Sequence, residues 1–425
     1  MNFDRIRALL LDQAIRGELV PQLAEEGVVE IGAIAPEAFK LPKTWKWLTL
    51  KSLVIPTKQI IPEESFTYLD VSSIKNFQID EIKRLDPSNA PSRARKVVQP
   101  GMVLFATVRP YLKNICVSPE LPGQVIASTA FATMTCSKDL NNRYLFYFLR
   151  SDFFTDLVKS KQRGISYPAI SEKDFYALPV PVPPLDEQIR IVAKLDDAFA
   201  EIDRAEKAYE ELQTLAGVLR GQILQEAIQG KLVPQLVSDG VTKQIAEAPE
   251  EVPFDIPNTW SWIRGEELAV KRKTIDPSTL TNDEIELWSI PAYDAGVAEK
   301  VSPGDIGSSK KVVQAGDVLL AKIVPHIERV WIVSESANSL MKLASTEWLV
   351  YASELFLPEF MGLLFRSPYF RTKMMESVSG MGSLKRANPR TLAKVWLPVP
   401  PIKEQERIVI KVETLLKQVN LLLTK

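Results

Sequence analysis

The chain repeats itself in pieces, at an offset of 213 to 217 residues. The segment Leu10 to Leu23, LLDQAIRGELVPQL, returns as ILQEAIQGKLVPQL from Ile223 to Leu236, and 9 of the 13 positions from Leu11 to Leu23 match their counterparts. A second pair joins Leu178 to Val192, LPVPVPPLDEQIRIV, with Leu397 to Val409, LPVPPIKEQERIV. Between these anchors the sequences diverge. An internal duplication fixes the architecture before any local assignment can: two variable modules are held in one recurring frame.

The frame reads as helix. After Pro183-Pro184, apolar residues run at three- and four-residue steps from Leu185 through Ile189, Val192, Leu195, Phe199, Ile202, Ala205, Tyr209, Leu212, Ala216 and Leu219 to Ile223, the seam of a long amphipathic helix at near coiled-coil spacing. Continued to about Lys231, past Gly217 and Gly221, it spans roughly 70 Å at helical rise. Such a helix needs a partner, and the chain ends supply one. Ile402 to Lys425 matches Leu185 to Ala208, and Met1 to Leu23 matches Thr214 to Leu236. The spacing predicts an antiparallel coiled coil, with the central helix on one side and the two terminal helices laid end to end on the other.

The modules mix strands, turns and short helices. Both open alike, LPKTWKW from Leu41 and IPNTWSW from Ile256. Each then reaches a matched strand, Val97 to Pro110 against Val312 to Pro325, with a turn glycine and β-branched residues. A helical segment follows around Tyr144 to Val158 and again around Phe356 to Met375, carrying a Leu-Arg-Ser or Phe-Arg-Ser step. Each module closes with a glycine-containing polar loop, Arg163 to Ser171 and Ser379 to Arg390.

Charge is distributed unevenly although the net is −1. Lys40 to Val180 holds 20 basic against 12 acidic residues, Leu185 to Glu251 holds 7 against 14, and Pro257 to Pro400 holds 17 against 16. A lone nucleic-acid binder is usually more basic, since phosphate neutralisation supplies most nonspecific affinity, so partners are expected to share that charge. The two cysteines, Cys116 and Cys136, read as reduced core thiols and exclude a disulfide scaffold. The first residues alternate charge with apolar side chains, an amphipathic helix and not a secretory signal. With no apolar run of about 18 residues, an intracellular location is expected.

Catalysis has little to stand on. The single histidine, His326, reads as a turn residue, no phosphate-loop or dinucleotide fingerprint occurs, and the acidic pairs Glu63-Glu64 and Asp283-Glu284 sit in polar stretches. Binding is better supplied. In the first module Arg93, Arg95 and Lys96 precede a strand, Arg109, Tyr111, Lys113 and Asn114 follow one, and Lys161, Gln162, Arg163 and Tyr167 surround Gly164. The second module offers Lys271, Arg272, Lys273, Lys310, Lys311, Lys322, His326, Arg329, Lys385, Arg386, Asn388 and Arg390. Such side chains can reach base edges and phosphates, and their clustering in matched loops weakens the reading of each as an ordinary surface charge. A scaffold for other partners and an enzyme in its own right are the competing classes.

The frame motifs, PPLDEQIRIV with its long helix and GKLVPQ, then PPIKEQERIV with a closing helix, resemble the specificity subunit of type I restriction-modification systems over essentially the whole chain. The resemblance implies an α+β chain: two similar mixed α/β target-recognition domains separated by long antiparallel coiled-coil helices in a pseudo-twofold circular organisation. The parts expected are an N-terminal helix to residue 27, recognition domains over 28–184 and 241–401, a spacer over 185–240 and a closing helix over 402–425. It implies a non-catalytic, cytoplasmic subunit that binds double-stranded DNA at a split asymmetric target, one half-site per domain. It would dock two methyltransferase subunits and restriction translocase-nuclease subunits, which would hold S-adenosylmethionine, ATP and Mg. Coil length would act as a ruler for the unread gap, the 24-residue overlap giving about 36 Å against roughly 34 Å per DNA turn. Glu187, Gln188 and Arg190, with Glu404, Gln405 and Arg407, match the frame and are expected at helix starts or subunit-docking positions.

Overall fold

In the computed structural model, residues 2–30, 38–164, 167–242, 249–335, 340–380 and 385–424 are described. The chain divides into two units, Met1–Ala208 and Tyr209–Lys425, with the division falling inside the central helix. That helix runs from Leu185 to Ile228, 44 residues, straight through Gly217 and Gly221, or about 66 Å at helical rise. It ends slightly short of the expected Lys231, where Gly230 takes a left-handed φ of 70° and lets the chain leave the helix.

Each half of the central helix has an antiparallel partner inside its own unit. In unit 1 the N-terminal helix Phe3–Arg16 buries Leu11, Ala14 and Ile15 with Ile191, Val192, Leu195 and Phe199. Arg7 bonds Asp203 at 2.6 Å and Glu206 at 2.5 Å, whereas Gln22 reaches back to Glu187. In unit 2 the C-terminal helix Ile402–Thr424 buries Ile408, Val412 and Val419 with Ala216, Ile223, Leu224 and Ile228, and Gln235 meets Glu404. The expected abutment of Met1 and Lys425 lies outside the described residues.

Both units carry the same sheet plan. In unit 1 the four-stranded sheet runs Lys83–Leu85, Phe66–Leu69, Gln124–Ser128, Ala94–Val98, with the middle pair parallel. In unit 2 the order Glu299–Val301, Ile285–Trp288, Lys342–Ser345, Lys310–Val313 repeats it, again with a parallel middle pair, and Thr274–Ile275 adds a fifth strand at the edge. Each matched segment expected to be one strand is two. Gly101 at φ 80° and Gly316 at φ 85° turn the chain, and the second strands, Val103–Ala106 and Val318–Ala321, join a different sheet.

The helical segment expected in each module is likewise two helices, Asn142–Arg150 with Asp152–Lys161 and Pro358–Arg366 with Pro368–Glu376. The break is the serine of the Arg-Ser step. Ser151 and Ser367 adopt extended backbone. Each Oγ donates back to the finished helix at 2.7 Å and accepts the amide of Phe154 or Phe370 in the next, ending one helix and capping another. Around these helices lie the main cores, with Phe105, Phe148, Phe154 and Phe175 in unit 1 and Phe360, Phe365, Phe370 and Met374 in unit 2.

Candidate nucleic-acid interface and the joints that carry it

The recurring motifs meet at one joint in each unit. In unit 1 the Glu187 carboxylate, 1% exposed, accepts Trp45 Nε1–H at 2.9 Å and Gln22 Nε2–H at 2.6 Å. Thr44 Oγ1 donates to Gln22 Oε1 at 3.1 Å. In unit 2 Glu404 accepts Trp260 at 2.9 Å and Gln235 at 2.6 Å, and Thr259 donates to Gln235 at 3.0 Å. Gln188 donates to the Asp139 and Pro183 carbonyls and accepts the Asn141 amide, while Gln405 does the same with Leu355, Pro400 and Leu357. Arg190 grips Glu26 with two bonds, 2.7 and 2.6 Å, and Arg407 pairs with Asp239. Gly17 and Gly230 complete the joint, since a Cβ there would lie 2.4 Å from Pro42 Cγ or 2.5 Å from Pro257 Cγ.

Glu187 and Glu404 lie in the first turns of their helices, one of the two places expected of them. Glu187, Gln188, Glu404 and Gln405 are all buried and spend their polar atoms on their own unit, holding the frame. Desolvation raises the carboxyl pKa at Glu187 and at Glu404, against the lowering effect of the tryptophan and glutamine donors.

In unit 1 a ladder of backbone bonds gathers the loop cations at one end. Thr129 N donates to Arg93 O, Thr107 N to Ala130 O, Ile170 N to Thr107 O, and Arg109 N to Pro168 O at 2.7 Å. Arg93 is exposed, the Arg163 side chain is 87% exposed and Tyr167 68%. Arg109 takes a left-handed φ of 48°, and its guanidinium lies over the Tyr167 ring at 4.5 Å. Lys161 and Tyr111 are also exposed. Residues 165 and 166 of this loop lie outside the described residues.

Four of the expected cations are not surface contacts. Lys96 is buried, donating to Phe131 O at 2.6 Å and pairing with Glu172, because the alternating strand Ala94–Val98 turns residues 94, 96 and 98 inward. Lys310 is buried and bonds Ser308. Arg272 is held by the buried Asp317, and Arg329 is buried with both donors on Asp294 at 2.8 and 2.9 Å. Others are tethered in part. Arg95 donates to Ala94 O and Lys113 to Arg150 O and Asp152, while Asn114 bonds Val71 O.

Unit 2 gathers its cations around an acid. Lys322 N donates to Glu347 O, Ala387 N to Lys322 O and Val324 N to Lys385 O. Arg386 places Nε and Nη2 on the Glu347 carboxylate, each at 3.1 Å, Lys322 approaches the same group at 4.0 Å, and Lys311 donates to Trp348 O at 2.7 Å. Lys271, Lys273, His326, Lys385, Asn388 and Arg390 are exposed. Residues 381–384 lie outside the described residues.

Sequence reasoning missed Trp45, Gln22, Trp260 and Gln235, although each recurs inside the matched motifs. It also missed Arg150, whose guanidinium sits among Phe77, Phe146, Tyr147 and Phe199 at 3.9 to 5.4 Å beside a groove of about 1210 Å³. Burial among the rings pushes its pKa down to about 10. Cys116 and Cys136 are free thiols raised to about 12 by burial. Among the described residues no cluster of three or more His, Cys, Asp or Glu could hold a metal ion, and no helix is long and apolar enough to cross a membrane.

Residues 118–214 match the type I restriction modification DNA specificity domain. The chain is 22% identical to the EcoKI specificity subunit of Escherichia coli K12, over 90% of this chain and 86% of that one. It is 23% identical to the MjaVIII specificity subunit of Methanocaldococcus jannaschii, over 68% of this chain and 67% of that one. Among solved structures it resembles a chain from work on complex assembly and conformational transition of the type I R-M system, with TM-score 0.70, 27% identity and 91% and 93% of the two chains covered. It also resembles the HsdS subunit from Thermoanaerobacter tengcongensis, with TM-score 0.58, 28% identity and 91% and 92% covered. Two copies of one sheet plan, each locked to half of a long helix by the same Trp-Glu-Gln joint, are thus found in a chain that is similar over nine-tenths of its length to specificity subunits of type I restriction-modification systems.

Proposed function

We propose that this chain selects the DNA target of a type I restriction-modification complex, each module reading one half of a bipartite, asymmetric sequence. The observation that carries this reading is the contrast between joints whose Trp, Gln and Thr bonds recur in both units and module ends whose cations differ. A duplicated frame with unlike loops suits a target with two unlike halves. The chain is the non-catalytic member, docking methyltransferase and restriction subunits.

The finer assignments are part of the same proposal. The recognition modules occupy residues 28–184 and 241–401. The contacts fall on Arg93, Arg109, Arg163 and Tyr167 in one, and on Lys273, Lys385 and Arg390 in the other. Two methyltransferase subunits, using S-adenosylmethionine, modify adenines that must leave the base stack to be reached. The restriction subunits use ATP and Mg, and the whole assembly works in the cytoplasm. Partner subunits supply part of the phosphate neutralisation, in keeping with a net charge of only −1.

The test is to co-express the chain with methyltransferase subunits of its system and map methylated adenines across the host DNA. A two-part asymmetric motif that disappears when this chain is left out is the expected result. A motif that persists without it would assign recognition elsewhere.

A further inference from the structure

Both modules place a non-glycine residue in the left-handed region at the same point of the fold. Arg109 and Val324 each have φ 48°, each precedes a proline, and each donates its amide to a carbonyl of the closing loop, Pro168 at 2.7 Å and Lys385 at 3.0 Å. For a residue other than glycine this is an uncommon conformation, and such strain persists only where the surroundings enforce it. Here the lacing of two loops enforces it, so the fold holds one side chain at a fixed angle at the tip of each module.

What is held differs. In unit 1 the guanidinium of Arg109 lies over the Tyr167 ring at 4.5 Å, and among the described residues it engages no carboxylate or carbonyl. Tyr167 is itself 68% exposed. A guanidinium stacked on an exposed ring is oriented while its fork of N–H donors stays unspent. That fork matches the O6 and N7 acceptors of guanine in the major groove. The neighbouring cation of unit 2, Arg386, is tied in two bonds to Glu347, and Val324 has no donor to offer.

We propose that Arg109, oriented by Tyr167, reads a guanine in the half-site of the first module, a contact without counterpart at Val324 in the second. This rests on the DNA-recognition reading above. Arg109 is then a specificity-determining residue and Tyr167 a positioning residue.

The experiment uses the full complex of this chain with its methyltransferase subunits and maps methylated adenines for wild type, Arg109→Asn, Arg109→Lys, Tyr167→Ala and Tyr167→Phe. Asn tolerates the left-handed backbone, so it removes the guanidinium without adding strain, and Lys keeps the charge without the fork. In Arg109→Asn the preference for guanine should fall about tenfold to a hundredfold at one position of one half-site, with the other half-site unchanged. Arg109→Lys should relax the same position, Tyr167→Ala should blur it, and Tyr167→Phe should preserve it. An unchanged motif in Arg109→Asn overturns the proposal. So does an even loss of methylation over all sites with a shallower salt dependence, which marks a phosphate contact. A wild-type complex that yields no two-part motif removes the recognition reading itself, an outcome distinct from failure of the variants alone.

Discussion

The joints at Glu187 and Glu404 are the same object built twice, whereas the helix faces beside them are not. At the joints the Trp-to-Glu and Gln-to-Glu distances agree, 2.9 and 2.6 Å in both units. Elsewhere in each module, Arg150 and Arg366 occupy matched helix ends in different company. Arg150 stands in a cage of rings that includes Phe146, with its Nε buried and unbonded. At the position matching Phe146, unit 2 has Gly362, where a Cβ would lie 3.0 Å from Arg366 Nη1. The absent side chain lets Arg366 fold back to donate to Val330 O at 2.6 Å and approach Glu328 at 3.5 Å. Buried hydrogen-bond networks resist piecemeal change because each partner lost strands another, while the module surface drifts freely around them.

Removing a joint carboxylate should have the largest effect. Glu187→Ala leaves the Trp45 and Gln22 donors unpaired and should cost about 3 kcal/mol, read as a fall of several degrees in melting temperature. Glu404→Ala should cost the same within about 1 kcal/mol, and a clear inequality would break the equivalence of the joints. Gly17→Ala and Gly230→Ala come next, at about 1–3 kcal/mol, because the new methyl meets a proline ring. Gly27→Ala and Gly240→Ala have open space at Cβ and should cost less, through backbone strain alone.

The arginines sharpen the contrast on the other side. Arg366→Met loses a bond to a buried carbonyl and should cost about 1.5 kcal/mol, whereas Arg150→Met trades ring contacts for relief of a desolvated charge and should be close to neutral. Equal costs in chemical denaturation would show that the two helix ends are not energetically distinct. Smallest is the pH effect at the joints. Burial holds the Glu187 and Glu404 protons to higher pH than in the unfolded chain. Between the ordinary carboxylate pKa and the raised one the folded state therefore binds more protons, and stability falls as pH rises through that window. Melting temperatures of Glu187→Gln and Glu404→Gln across acid pH should lack this slope.

The duplication, the helical frame and the likeness of the two modules were legible because each rests on periodicity or on motifs recurring at one spacing. The joint was only half legible. Glu187 and Gln188 read as helix-start or docking residues, yet Trp45 and Gln22 recur with them at Trp260 and Gln235, which is the signal that they form one network. Among the loop cations, strand parity could have placed Lys96 inside with Ala94 and Val98. No local rule could have paired Arg272 with Asp317 or Arg329 with Asp294, since these partners lie 45 and 35 residues apart and meet only through the sheet topology. The left-handed turns at Arg109 and Val324 were invisible for the same reason, being imposed by a loop more than 50 residues downstream.

The most direct test of one joint serving two readers is to replace residues 241–401 with a second copy of 28–184, cut at the matched joints, and map the methylated sequence of the assembled complex. The account expects a motif made of the first half-site read twice. Retention of the original asymmetric motif, or loss of methylation from a folded and assembled complex, would contradict it.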